Sequence, residues 1–156
     1  MALSMILLPA CTREEGEVSG NYIDLGLTSG TKWKAVNEKN TADAESDLYT
    51  YDEAIEAFGN NLPSYDQWME LVNECSWTWT GMGYKVVGSN GKSIVLPASG
   101  FRGYEESVYG VGSFGLYWSS SPEGPDLARF LDFDSDGVSG GCQVRCFGFS
   151  VRLVQD

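Results

Sequence analysis

A chain of 156 residues is the size of one domain with a genuine core, and its 42% apolar and 13% aromatic content places it among globular proteins. A formal net charge of −12 argues against nucleic acid and against electrostatic adhesion to anionic lipid, since both are bound through Lys and Arg. The chain has no histidine, which removes Ser-His-Asp and Cys-His catalysis, the usual neutral-pH base and imidazole metal ligation, so neither an enzyme nor a cofactor is expected.

The N-terminus carries an apolar run, Met5 to Leu8, that is too short to span a bilayer. With Leu8-Pro9-Ala10-Cys11 behind it, the segment resembles the end of a bacterial lipoprotein signal. That resemblance implies cleavage before Cys11, acylation of its thiol, and contact with the membrane only through a lipid anchor. The polar run Thr12 to Glu17, a base followed by acids, resembles the surface-export signal of lipoproteins from the Bacteroides group. Residues 1–21 are therefore read as signal remnant and tether, and residues 22–156 as the folded domain.

Tyr22 to Leu27 and Lys32 to Val36 alternate across a Thr28-Ser29-Gly30-Thr31 turn, predicting a hairpin anchored by Trp33. The acid-rich stretch from Glu38 to Glu74 has Lys39 as its single base and reads as a solvated face. Within it two capping boxes predict two helices. Thr50 with Glu53 opens the first, which stops at Gly59. Ser64 with Gln67 opens the second, whose Trp68, Leu71, Val72 and Cys75 fall on one stripe, so that Cys75 is expected as a buried thiol.

Past Cys75 the period changes to two. Trp77 to Trp79, Tyr84 to Val87 and Ile94 to Leu96 read as strands joined by turns at Gly81-Met82-Gly83 and Ser89-Asn90-Gly91. Phe101 to Phe114 reads as a loop with glycines and tyrosines. Tyr117 to Ser121 is a strand ending at a turn set by Pro122, Gly124 and Pro125, and Trp118 in it is read as core. Gly148 to Val154 alternates as a half-buried strand does.

Between these specified ends, residues 129–147 lose their alternation after Phe133 and look chosen for contact rather than for folding. The candidate contact residues are Arg129, Phe130, Asp132, Asp134, Asp136, Gly137, Ser139, Gly140, Gly141, Cys142, Arg145, Cys146 and Phe147. Arg and Phe are residue types that dominate binding hot spots when exposed together. Asp132, Asp134, Asp136 and Gly137 match the opening of a calcium loop, but the twelfth position is Gln143 and no helical pattern flanks it, so an acidic strand face is preferred and no metal is assigned. Cys142 and Cys146 can be read as a disulfide, which export would permit, or as two unrelated surface thiols.

Five blocks in order are similar to one family: Tyr22 to Trp33, Leu62 to Trp79, Tyr84 to Ala98, Tyr117 to Ser121 and Gly148 to Val154. The chain resembles the Fibrobacter succinogenes major paralogous domain, found in surface lipoproteins of gut Bacteroides-type bacteria. The resemblance implies an α+β, C-type lectin-like fold with two helices, short antiparallel strands and long loops. It also implies a cell-surface, outer-membrane lipoprotein that binds an unidentified surface ligand, expected to be a protein. Members of that superfamily include variable proteins of diversity-generating retroelements, in which adenines of Asn codons are scrambled. Asp, Ser, Gly, Cys, Arg and Phe, all present in residues 129–147, are reachable in that way. Lys, Glu, Met and Trp are absent there, and Gln143 would be a fixed position. Formylglycine-generating enzymes, which share the fold, use a cysteine pair near this end, but Cys142 and Cys146 are spaced differently. A pilus or envelope structural subunit or adhesin without diversification is the alternative.

Overall fold

In the computed structural model the described residues are 21–42 and 46–156. The lipidation expectation at Cys11 and nearly all of the tether lie outside them.

Both helices begin at their capping boxes. For α1 (Tyr51–Phe58) the Glu53 amide donates to Thr50 Oγ1 at 3.2 Å and the Thr50 amide to Glu53 Oε2 at 3.1 Å. The helix stops at Gly59, whose φ of +47° few other residues adopt cheaply. For α2 (Tyr65–Glu74) the Gln67 amide donates to Ser64 Oγ at 3.1 Å and the Ser64 amide to Gln67 Oε1 at 2.9 Å. Trp68 and Leu71 bury α2's apolar stripe. Cys75 differs from the expectation: it caps the helix C-terminus and is half-buried. Burial, followed by Glu74 and Glu70, pushes its thiol pKa up, so it behaves as an inert apolar group.

The described strands form three sheets. β1 (Tyr22–Asp24), β2 (Lys32–Lys34) and β11 (Val154–Gln155) bring the two ends of the domain together, with β2 central. β3 (Ser76–Trp79), β4 (Gly83–Val87) and β5 (Ser93–Pro97) form the expected antiparallel meander. The largest sheet runs β10-β9-β8-β6-β7. It contains β6 (Ser99–Arg102), β7 (Val108–Val111), β8 (Gly115–Glu123), β9 (Leu127–Asp134) and β10 (Gly137–Val144). Its pairings are antiparallel except β6 with β8, which are parallel at Gly100 and Gly115. The architecture is α+β.

The structure differs from the sequence expectations at three places. The stretch 101–114 is not simply a loop, because it completes β6 and supplies β7. Positive φ at Gly100 (+71°) and Gly110 (+74°) breaks the alternation that would have announced those strands. Alternation fails after Phe133 because the chain turns and then enters Gly137–Val144, a regular edge strand that buries little on either face. Finally, Gly148 to Val154 is not a half-buried strand: residues 148–154 are all buried, 148–150 make isolated bridges, and Val154 alone belongs to a strand, β11.

The core has two parts separated by the large sheet. One holds Trp33, Trp68, Leu71, Tyr84, Val86, Leu96, Tyr117, Leu131 and Phe133. The other holds Tyr49, Tyr51, Ala54, Leu62, Trp118, Ala128, Phe149 and Val151, with Phe130 and Phe147 packed against it. Trp33 and Trp68 meet at 4.5 Å between centroids, Trp118 and Phe149 at 4.1 Å.

Arg152 ties the three sheets together. It is 1% exposed, donates from Nη1 to Lys34 O at 2.9 Å and from Nε to Asn37 Oδ1 at 2.7 Å, and its Nη2 reaches Val95 O. Asn37 Nδ2 in turn donates to Tyr117 Oη at 2.9 Å, and that hydroxyl donates to Pro97 O at 2.7 Å. Lys34 belongs to β2, Val95 to β5 and Tyr117 to β8, so one polar chain spans all three sheets. Burial pulls the guanidinium pKa down to about 10, which leaves it charged at neutral pH. Burial pushes the Tyr117 hydroxyl up to about 12 and keeps it neutral.

Candidate functional site

Residues 129–147 form most of the β9–β10 hairpin and the turn that follows it. Asp134 pairs with Gly137, leaving Ser135 and Asp136 as a two-residue turn. The Asp136 amide donates to Asp134 Oδ1 at 2.8 Å. The acid-glycine pattern is therefore a hairpin tip whose first carboxylate folds back on the backbone, a role Asp fills well in turns. No group of three or more metal-ligating side chains occurs among the described residues.

The register sorts the hairpin into two faces. Arg129, Leu131 and Phe133 pair with Cys142, Gly140 and Val138 on the side of α2. Leu131 and Phe133 belong to the core. Arg129 is committed elsewhere: its Nε donates to Glu123 Oε2 at 2.8 Å, and the guanidinium lies 4.9 Å from the centroid of the Tyr65 ring. Gly140 is covered by the same Tyr65, since a Cβ there would sit 2.4 Å from Tyr65 Oη. Tyr65, Glu123, Arg129, Gly140, Gly141 and Cys142 line a 210 Å³ recess.

On the other face Phe130 and Asp132 pair with Gly141 and Ser139. Phe130 is half-buried, 5.0 Å from Phe149, and Ser139 Oγ donates to Asp132 Oδ1 at 2.7 Å. Asp132, Asp134, Asp136, Val138 and Ser139, with Leu116 of β8 and Phe114 just before it, line a 360 Å³ cavity.

The candidate residues are not equally presented. Asp136, Gly137, Ser139, Gly140, Cys142 and Cys146 are exposed, while Asp132, Asp134 and Gly141 are half-exposed. Cys142 and Cys146 are separate thiols, with no disulfide between them. Arg145 differs from the sequence reading of a free hot-spot cation. Its Nε donates to Leu127 O at 3.2 Å and its Nη2 to Gly124 O at 2.9 Å, and its guanidinium sits 4.9 Å from the centroid of the Tyr51 ring. It pins the β8–β9 turn to the start of α1. Phe130 and Phe147 likewise spend part of their surface on the core.

Sequence reasoning missed the aromatic residues beside the hairpin. Phe147 meets Tyr104 edge-on at 4.9 Å, and Tyr104 is 76% exposed. Phe101 and Tyr109, paired across β6 and β7, lie 6.1 Å apart, with Tyr109 and Phe114 both exposed. Phe101, Tyr104, Tyr109 and Phe114 come from the stretch read as a loop, and the available signal was its density of Tyr and Phe. Together they continue the sheet face that Phe130 and Asp132 begin. A second missed feature is a 500 Å³ groove away from the hairpin, where Met82, Val95 and Val111 are exposed.

In chemical terms the region offers acids, hydroxyls, thiols and aromatic edges on a rigid sheet. That suits contact. In comparisons with known proteins, no family model, no curated protein and no solved structure matches this chain.

Proposed function

We propose that the chain is a cell-surface binding protein that displays the β9–β10 hairpin as a variable contact surface on a C-type lectin-like scaffold. In this reading it is related to the Fibrobacter succinogenes major paralogous domain, is held to the outer membrane by lipid at Cys11, and is a target of retroelement diversification. Its partner is a protein ligand rather than nucleic acid, and it is not an enzyme.

One observation supports the reading above the others. Leu131 and Phe133 face the core from β9, while Asp136, Ser139, Cys142 and Cys146 on the same hairpin and turn face solvent. The frame thus holds the backbone in place while the outward side chains are free to change, which is the pre-organisation a binding surface needs.

Sequencing the gene in sister isolates tests this. Amino-acid differences should concentrate at Asp132, Asp136, Ser139, Cys142 and Cys146. Leu131 and Phe133 should stay fixed, and Gly140 should stay small beneath Tyr65. A near-copy of the 3′ end should lie beside a reverse transcriptase gene. Differences spread evenly along the gene, with no such copy, would count against diversification. The second reading, an envelope or pilus-type subunit, draws support from the open edge of β10, and concentration-dependent sedimentation separates the two.

A further inference from the structure

We infer that β10 is a docking edge for an extended, basic segment of a partner polypeptide, which joins the large sheet as a sixth strand. The inference rests on the binding role proposed for the same hairpin, and it specifies what kind of ligand that hairpin takes.

β10 is the terminal strand of its sheet, and no other described strand pairs with its outer side. It runs eight residues in unbroken register with β9, without a bulge. Gly137 to Val144 contains no Lys, no other charge and no Pro. Those are the devices by which exposed edges are ordinarily protected from strand addition. The opposite edge, β7, is four residues long, and the ladder is interrupted there, with Gly110 left unpaired at positive φ. One edge of the sheet is guarded and the other is open.

The side chains around β10 specify the partner's chemistry. On one face Gly137, Ser139 and Gly141 are small, and behind them on β9 stand Asp132 and Asp134. An added strand lies about 10 Å from β9, two strand spacings away. Long basic side chains on that strand can cross the small residues and reach the two carboxylates. On the other face the strand meets Val138, Gly140 under the Tyr65 ring, and Cys142, while the Arg129–Glu123 pair neutralises itself. That side accepts apolar residues. The complement is a strand alternating basic with apolar residues, steered in by the net charge of −12. A second copy fits less well, because its own Gly137 to Val144 brings no Lys or Arg to the two carboxylates.

The experiment uses the full chain, isotope-labelled, with a fluorescein-labelled octapeptide alternating lysine with valine. A second peptide of equal charge has two adjacent central residues N-methylated, so that neither of its edges can pair. The inference expects the first peptide to slow amide exchange at alternate positions of Gly137 to Val144, and the second to bind about tenfold more weakly, the loss of one to two backbone hydrogen bonds. Asp132→Asn with Asp134→Asn should also weaken the first peptide. Equal affinity for both peptides would overturn it, as attraction by charge alone. So would β10 amides already protected in the free chain, whether by residues 1–20 or by a second copy, or an absence of binding. Binding that perturbs only Tyr104, Tyr109 and Phe147 would overturn the edge inference and leave the proposed contact surface standing. The distribution of substitutions among isolates bears on the proposed function alone.

Discussion

Replacing Arg152 by Met is expected to lower the unfolding free energy by about 3–5 kcal/mol. The substitution keeps most of the side-chain length but abandons Lys34 O, Val95 O and Asn37 Oδ1, which Arg152 satisfies in a site that is 1% exposed. Each buried acceptor left unpaired costs about 1–3 kcal/mol, and the relief of no longer burying a charge offsets part of the sum. Arg152→Lys should also be poor, because one ammonium cannot span carbonyls on two sheets and an amide between them. Urea titration measures the effect as a lowered midpoint at unchanged slope. A loss under about 1 kcal/mol would mean that the three sheets hold together without this polar chain.

Trp118→Ala is expected to cost about 3–5 kcal/mol. The ring is fully buried, packs at a tilt on Phe149 at 4.1 Å between centroids and meets Tyr51 edge-on at 5.6 Å, and its Nε1 donates to Tyr49 O at 2.8 Å. Removing it opens a cavity beneath Phe130 and leaves Tyr49 O with the Phe149 amide as its remaining donor, at 2.9 Å. Trp118→Phe fills most of the volume and loses only the indole donor, so it should cost about 1–2 kcal/mol. Near-ultraviolet circular dichroism with denaturant titration reads both variants. Equal losses for Ala and Phe would place the energy in the hydrogen bond rather than in packing.

What could be read from the sequence follows from which residues carry local signals. Thr50 with Glu53 and Ser64 with Gln67 fix helix starts through bonds within four residues, and both helices stand where those residues put them. The β3–β5 meander was legible because one face is buried and the other is wet, so Tyr84, Val86, Ile94 and Leu96 alternate with exposed residues. β10 was illegible for the opposite reason. As an edge strand of small residues it buries little on either face, and nothing forces alternation upon it. β6 and β7 were hidden by glycines at positive φ and by aromatics left in solvent. The burial of Arg152 was illegible, since nothing local marks a charged residue between apolar neighbours as buried. The carbonyls of two distant strands and the Asn37 amide oxygen make its burial tolerable, and those meet it through tertiary structure alone.

The same division governs the candidate site. That residues 129–147 lie mainly at the surface was readable from their polarity. That Arg145 is engaged by Leu127 and Gly124 carbonyls, and that Tyr104 stands against Phe147, was not, since both depend on how the turn and β6 return to the hairpin.

The account's central claim is that the hairpin displays side chains which the fold does not need. Its most direct test is the stability of a chain in which Asp136, Ser139, Cys142 and Cys146 are all alanine, measured beside Leu131→Ala. The fourfold variant should stay within about 1 kcal/mol of the parent. The single substitution at fully buried Leu131 should cost about 2–5 kcal/mol. A fourfold variant as unstable as Leu131→Ala would contradict the claim and make this hairpin a structural element like any other.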